Sequence, residues 1–291
     1  MRSLAALHPP DLEALAQPPE AAAWSARQRR RHKRVAFVPT MGALHEGHLS
    51  LVHEARRHGD VVAVSIFVNP LQFNDPKDLE RYPRQPERDR DLLAGAGVDM
   101  LLLPEGDGLF RDFTPAVHDL GGLDLMLEGA SRPGHFQGVV NVVERLFHYV
   151  RPDVALFGEK DRQQLAVIRH AARQQRWPVE IVGCPIVRAA DGLALSSRNQ
   201  RLSGAERRAA PALYRALCAI RDAAATHTAA QALEAGQRVL AEEPLVVPDY
   251  LTLAHPETLL PLPDWDGRGA VALVAAQVGP VRLIDNMMIR R

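Results

Sequence analysis

Cysteine is scarce, and that excludes two classes of protein at once. The 291 residues hold only Cys184 and Cys218, too few for a disulfide framework and without the spacing of a metal cage. Long apolar runs are missing too: no stretch of about 18 apolar residues occurs, which rules out a spanning helix. Net charge is absent, since 35 Lys and Arg are balanced by 35 Asp and Glu. The chain as a whole therefore exerts no field favouring nucleic acid or an acidic membrane. Where a secretory signal would need an apolar run, the N-terminus has Pro9, Pro10, Asp11 and Glu13. The expectation is a reduced, cytoplasmic protein. What is present is ordinary for a globular chain, 46% hydrophobic and 24% charged, with a length suited to about two domains.

Charge concentrates once, in residues 27–34, where six of eight are Lys or Arg. Without an aromatic residue for base stacking, the run reads as the solvated face of a helix ending just before a buried strand, not as a nucleic-acid arm. Residues 1–34 otherwise show no domain character.

From Val35 the texture changes. Short β-branched or apolar runs at 35–38, 61–68, 100–103, 154–157 and 179–182 alternate with helical patterns at 44–55, 87–95, 139–150 and 163–175. Continuous apolar strands separated by amphipathic helices predict a Rossmann-like α/β domain with a doubly wound parallel sheet. After about residue 188 the pattern becomes two helical stretches, 204–224 and 229–242, and strands at 250–254, 271–278 and 281–284. The expected division is a nucleotide-binding domain over 1–188 and a smaller C-terminal α+β domain over 189–291, covering the active site.

Four segments carry chemistry. Pro39-Thr40-Met41-Gly42-Ala43-Leu44-His45-Glu46-Gly47-His48 lies between strand and helix. Unpaired N–H groups and the helix dipole there favour a phosphate, Gly42 and Gly47 give close approach, and His45 and His48 share a face. A His-x-x-His pair can also ligate a metal, but no third ligand is evident and the H-E-x-x-H spacing is missing. Asn69 and Gln72 follow the second strong strand, where ligands of open α/β sheets sit. Phe157-Gly158-Glu159-Lys160-Asp161-Arg162-Gln163-Gln164 again joins strand to helix and offers Lys160 to phosphate. Leu195-Ser196-Ser197-Arg198 sets two hydroxyls beside a guanidinium fork suited to an anion. The last three segments, each taken alone, also have bland readings: a turn, a charged helix start, an N-cap serine pair.

Taken together and in this order, the four segments resemble the pantoate–β-alanine ligase family, within the H-x-G-H nucleotidyltransferases. The resemblance runs from near Val35 through Leu127-Glu128-Gly129-Ala130-Ser131-Arg132-Pro133-Gly134-His135-Phe136 to Arg282-Leu283-Ile284-Asp285-Asn286-Met287. It implies that ATP activates (R)-pantoate as an acyl adenylate, with Mg²⁺ accompanying the nucleotide, and that the amine of β-alanine then displaces AMP. A homodimer is implied as well. By the same resemblance Met41, Gly42, Ala43, Leu44, His45, Glu46, Gly47 and His48 bind ATP, with His48 as catalytic proton donor. Gly158, Glu159, Lys160, Asp161, Val187, Leu195, Ser196, Ser197 and Arg198 are further ATP contacts. Gln72 contacts pantoate and β-alanine, and Gln164 contacts pantoate. His45, Lys160 and Arg198 join His48 as the groups that meet charge developing on the phosphoryl oxygens. The metal ligands are not readable. Leu195 replaces the usual Met, and Asn74 and Lys77 depart from the pattern of the loop after Phe73. The rival reading is another H-x-G-H adenylyltransferase with a phosphorylated acceptor, but such an acceptor calls for Arg or Lys at the positions of Gln72 and Gln164.

Overall fold

The computed structural model describes residues 12–106, 108–111, 113–267 and 269–290; Pro9, Pro10 and Asp11 lie outside them. The described chain falls into two compact units. One is the chain up to Gly158 with Val167–Cys184, and the other is Glu159–Ala166 with the chain from Pro185 on.

The first unit contains β1 (Glu13–Leu15), α1 (Pro18–Arg30), β2 (Val35–Thr40), α2 (Glu46–His58), β3 (Val61–Ile66), α3 (Pro76–Glu80), α4 (Pro86–Gly95), β4 (Met100–Leu102), α5 (Glu128–Ser131), α6 (His135–Val150), β5 (Val154–Gly158), most of α7 (Arg162–Gln174) and β6 (Glu180–Cys184). Its six strands make one sheet in the order β1-β4-β3-β2-β5-β6, and every ladder is parallel. The two-residue period of a strand explains how the sheet is covered. Ala36, Val38, Val62 and Val64 join Leu51, Val52 and Ala55 of α2 and Leu93 of α4 in one core. Phe37 points the other way, edge-on to Phe147 of α6 with centroids 6.3 Å apart. Strand order reverses between β2 and β5, so the crevice at their carboxyl ends is the switch point of a doubly wound sheet.

Local chemistry sets the boundaries that differ from expectation. β3 closes at Ile66, not Val68, where the chain turns into the 3₁₀ segment Pro70–Gln72. α6 begins at His135, four residues early in the pattern, because Gly134 adopts φ +81° as its N-cap. Ahead of β2, Glu13–Leu15 is an edge strand that sequence patterning left unassigned, and Pro18–Arg30 is a helix ending just before a buried strand, as the basic run at 27–34 led one to expect. Several side chains of the basic run are tied locally: Arg27 pairs with Glu13 at 2.6 Å, Arg34 with Glu180 at 2.6 Å, and Arg29 donates to the Arg151 carbonyl.

The second unit holds α8 (Gly204–Ala209), α9 (Ala212–Ala224), α10 (Ala229–Ala241), β7 (Val246–Ala254), β8 (Ala270–Val278) and β9 (Val281–Ile289). Pro211 separates α8 from α9 where one helix was expected, since proline cannot continue the N–H ladder. The strands form an antiparallel sheet in the order β7-β8-β9. Alternate residues of β8, namely Ala272, Val274 and Ala276, pack with Leu213, Leu217 and Ile220 of α9. No helix among the described residues is long and apolar enough to cross a membrane.

Candidate active site

The loop from β2 to α2 is held by side chains. Thr40 Oγ1 donates to the Ser65 carbonyl at 2.8 Å and accepts the Gly42 N–H at 3.2 Å. Gly42, at φ +80°, has no room for a side chain: a Cβ would stand 2.9 Å from Ile66 Cγ2 and 3.0 Å from the Asp89 carboxylate. Asp89, on α4 and 1% exposed, accepts the Ala43 and Leu44 N–H groups, each at 2.8 Å. These bonds correct one expectation. The N–H groups of Gly42, Ala43, Leu44, His45 and Gly47 all have acceptors inside the protein, so the loop is no open cradle of main-chain donors. Asp89 itself carries no local signal, because Glu87, Arg88, Arg90 and Asp91 around it read as a solvated helix.

The side-chain donors of this stretch are the imidazoles. His45 caps α2, its Nδ1 accepting the Gly47 N–H at 3.1 Å, and His48 Nδ1 accepts the His45 N–H at 3.3 Å. The rings lie 4.1 Å apart, tilted by 41°. A ring nitrogen that accepts carries no proton, so in both neutral imidazoles the proton sits on Nε2. Glu46, the exposed first residue of α2, complements the dipole from outside.

Gln72 ends the 3₁₀ turn after β3 and is buried. Its Oε1 accepts from Asn69 Nδ2 at 3.0 Å, and its Nε2 points at Met41 Sδ, 3.1 Å away. Its carbonyl accepts from His135 Nδ1 at 2.8 Å and from Arg132 at 3.3 Å, which gives two residues of the Leu127 to Phe136 motif a task. Asn69 was expected to face a ligand. Instead it is 1% exposed, its Nδ2 also donates to the Gly138 carbonyl at 3.0 Å, and its Oδ1 accepts the Leu71 N–H at 3.2 Å. It orients Gln72 from behind. Gly138 permits this approach, because a Cβ there would overlap the Leu71 carbonyl. Gly158 closes β5, the strand beside β2. Asn74 and Lys77 lie at exposed positions around α3, whose N-cap Asp75 accepts the Lys77 N–H at 2.9 Å.

The second unit gathers the other expected residues. Glu159, Lys160 and Asp161 form a 3₁₀ turn leading into α7, with Lys160 Nζ 3.7 Å from Asp161 and Glu159 3.8 Å from Arg162. Gln164 follows, half-buried. Val187 accepts the Leu195 N–H at 2.9 Å, and an isolated bridge joins Arg188 to Ala194. Ser196 caps the 3₁₀ segment Ser197–Arg201 by accepting the Arg198 N–H at 3.3 Å. Behind these segments Arg188 forms a two-pronged pair with Asp285, which is 4% exposed. Burial pushes the Asp285 carboxyl above the ordinary carboxylate range, against the pull of Arg188.

A second pair in this unit gives a pH prediction. The hydrogen bond from Arg207 holds the Asp191 carboxyl below its ordinary value of 3.8. A carboxyl whose pKa is lowered on folding adds stability above its ordinary value and loses it as pH falls through the lowered one. Both side chains are more than a third exposed, so solvent screening leaves about 0.2–1 kcal/mol. Urea melts taken between about pH 5 and pH 2 are expected to show a slightly shallower acid loss in Arg207→Ala. Identical pH slopes would show that the pair adds nothing.

Comparison with known proteins identifies the family. The Pantoate-beta-alanine ligase family model matches residues 13–288. The chain is 54% identical over 255 residues to a pantothenate synthetase of Thermus thermophilus, covering 87% of this chain and 92% of that one. It is 48% identical over 263 residues to a pantothenate synthetase of Koribacter versatilis, covering 90% of each. A crystal structure of the Thermus thermophilus pantothenate synthetase superposes with a TM-score of 0.91 at 49% identity, over 96% of this chain and all of that one. A pantoate-beta-alanine ligase from Francisella tularensis, complexed with beta-gamma ATP and β-alanine, superposes with a TM-score of 0.78 at 31% identity, over 95% and 97% of the two chains. This chain belongs to the pantoate–β-alanine ligase family, the pantothenate synthetases.

Proposed function

We propose that this ligase joins (R)-pantoate to β-alanine through a pantoyl adenylate made at the expense of ATP. A pantoate carboxylate oxygen attacks the α-phosphorus of ATP, the bond to the bridging oxygen breaks, and pyrophosphate leaves. The neutral amine of β-alanine then attacks the acyl carbon, a proton is lost, and AMP departs with the carboxylate oxygen. The observation that best supports this reading is the histidine pair, two Nε2 donors fixed by main-chain bonds at the head of α2. Positioned donors of this kind are what a phosphoryl transfer needs, since little covalent chemistry is left for the protein.

In this reading His45 and His48 donate to the phosphoryl oxygens, while Lys160 and Arg198 supply positive charge. Met41 to His48, Gly158 to Asp161, Val187 and Leu195 to Arg198 contact ATP. The neutral amides of Gln72 and Gln164 take pantoate, and Gln72 also serves β-alanine. Among the described residues no three His, Cys, Asp or Glu side chains gather as a metal cage. Mg²⁺ would come bound to the nucleotide's phosphates, as it commonly does, adding charge neutralisation there. A homodimer and a cytoplasmic location belong to the same reading: only two cysteines in the whole sequence suit a reducing compartment, and the dimer is carried by the family resemblance.

Isotope exchange between pyrophosphate and ATP tests the route. Exchange that requires pantoate and proceeds without β-alanine is expected. If label enters ATP only when β-alanine is present, a free-standing adenylate is wrong and a concerted condensation replaces it.

A further inference from the structure

In the motif at residues 282–287 only Asp285 has had a task so far, and in the second unit the motif sits behind two segments assigned to ATP. Asn286, 3% exposed on β9, donates its two amide hydrogens to successive carbonyls, Glu159 at 2.9 Å and Lys160 at 3.0 Å. These are the carbonyls of the turn that presents Lys160. Asn286 is itself fixed: its N–H donates to Asp285 Oδ1 at 2.7 Å, and its carbonyl accepts from Arg188 at 3.2 Å. Arg188 also donates to Asp285 and to the Gly192 carbonyl at 3.0 Å, and its guanidinium lies 4.3 Å from the centre of the Tyr214 ring. All five donors of a guanidinium lie in one plane, so one side chain pins both β9 and the hairpin from Val187 to Leu195.

We infer that Asn286, anchored by the pair between Arg188 and the buried Asp285, is a positioning residue that holds the Glu159–Asp161 turn so that Lys160 meets the phosphates of ATP. The inference rests on the reading of Lys160 as a phosphate contact. Asn286 touches no substrate; it acts through the main chain of residues 159 and 160. Ordinary packing has no need of this geometry. An apolar side chain at 286 would fill the space, but it would leave two part-buried carbonyls without the donors that define the turn.

A double-mutant cycle on pantoate-dependent pyrophosphate exchange separates positioning from general stability. Asn286→Ala is expected to lower the exchange rate about 10- to 100-fold, the scale of a misplaced reacting group. On a Lys160→Ala background the same change should cost less than about threefold, because the group it positions is already gone. The KM for β-alanine should move less than about twofold. Asn286→Ser, which keeps one donor, should fall between parent and Ala, and its circular dichroism and thermal melt keep the test valid if the Ala variant folds poorly. Equal losses on both backgrounds would overturn the inference, because they would mean that Asn286 acts elsewhere. A parental rate in Asn286→Ala beside an impaired Lys160→Ala overturns the positioning alone. A parental rate in Lys160→Ala removes the reading of Lys160, and this inference with it.

Discussion

His48→Ala is expected to lower pantoate-dependent pyrophosphate exchange by about two to four orders of magnitude, the range for losing a positioned donor or acid at a reacting centre. The fold should survive. The structural loss includes one acceptor for the His45 N–H, worth about 1 kcal/mol, and the contact with the His45 ring. We propose a particular kind of donor for His48. With Nδ1 occupied by that N–H, the neutral ring offers an Nε2–H; giving this proton away entirely would leave an imidazolate, which is unfavourable near neutral pH. To act as a general acid the ring must first take a proton on Nδ1, and that proton displaces the bond to His45. A hydrogen-bond donor that keeps its proton is the simpler reading, and it has a signature. Exchange should hold steady as pH rises from about 6 to about 8, whereas a general acid would lose activity as its acidic form disappears. A parental rate in His48→Ala sinks the assignment, and a falling limb that vanishes in the variant restores the proton-donor role.

Much of this site was legible because its signals are local. The apolar runs at 35–38 and 61–66 are continuous since both faces of a parallel sheet are covered, and the Gly42 to His48 stretch announces a turn followed by a helix start. Residues whose meaning lies in a distant partner stayed silent. Asp89 is 46 residues from Ala43, and Asn286 is 126 from Lys160; in sequence Asp89 is one polar residue on an amphipathic helix, and Asn286 belongs to a motif that names no task for it. Asn69 misled for the same reason, since an amide after a strand reads as facing outwards until its partners Gln72 and Gly138 are known. The edge strand Glu13–Leu15 has three residues, shorter than any two-residue period can reveal. Pro211 was a readable signal: a proline within a helical run should have split it.

Asp89→Ala is expected to be among the most destabilising single changes in the first unit, although Asp89 contacts none of the proposed substrates. Its two oxygens accept two buried N–H groups, Ala43 and Leu44, and each group left without an acceptor costs about 1–3 kcal/mol. A loss of about 2–6 kcal/mol, or roughly 3–10 °C in Tm, follows for a protein of this size. The carboxylate is favoured where it stands, in the first turn of α4 where the dipole is positive. Asp89→Asn separates charge and count from shape. The amide fills the same volume but offers one acceptor, and its NH₂ faces the second N–H, so it should recover only part of the stability. Activity should fall with it, because Ala43 is held at φ +50°, a conformation that costs about 1–2 kcal/mol for a residue with a Cβ. Once the clamp loosens, Ala43 relaxes and His45 and His48 shift with the start of α2. A displacement of that kind costs about 100-fold in rate, carried mainly by the adenylation step and not by β-alanine binding. Thermal melts and exchange assays on both variants decide it: an Asp89→Asn enzyme matching the parent in Tm and rate would show that the loop holds its shape without the clamp.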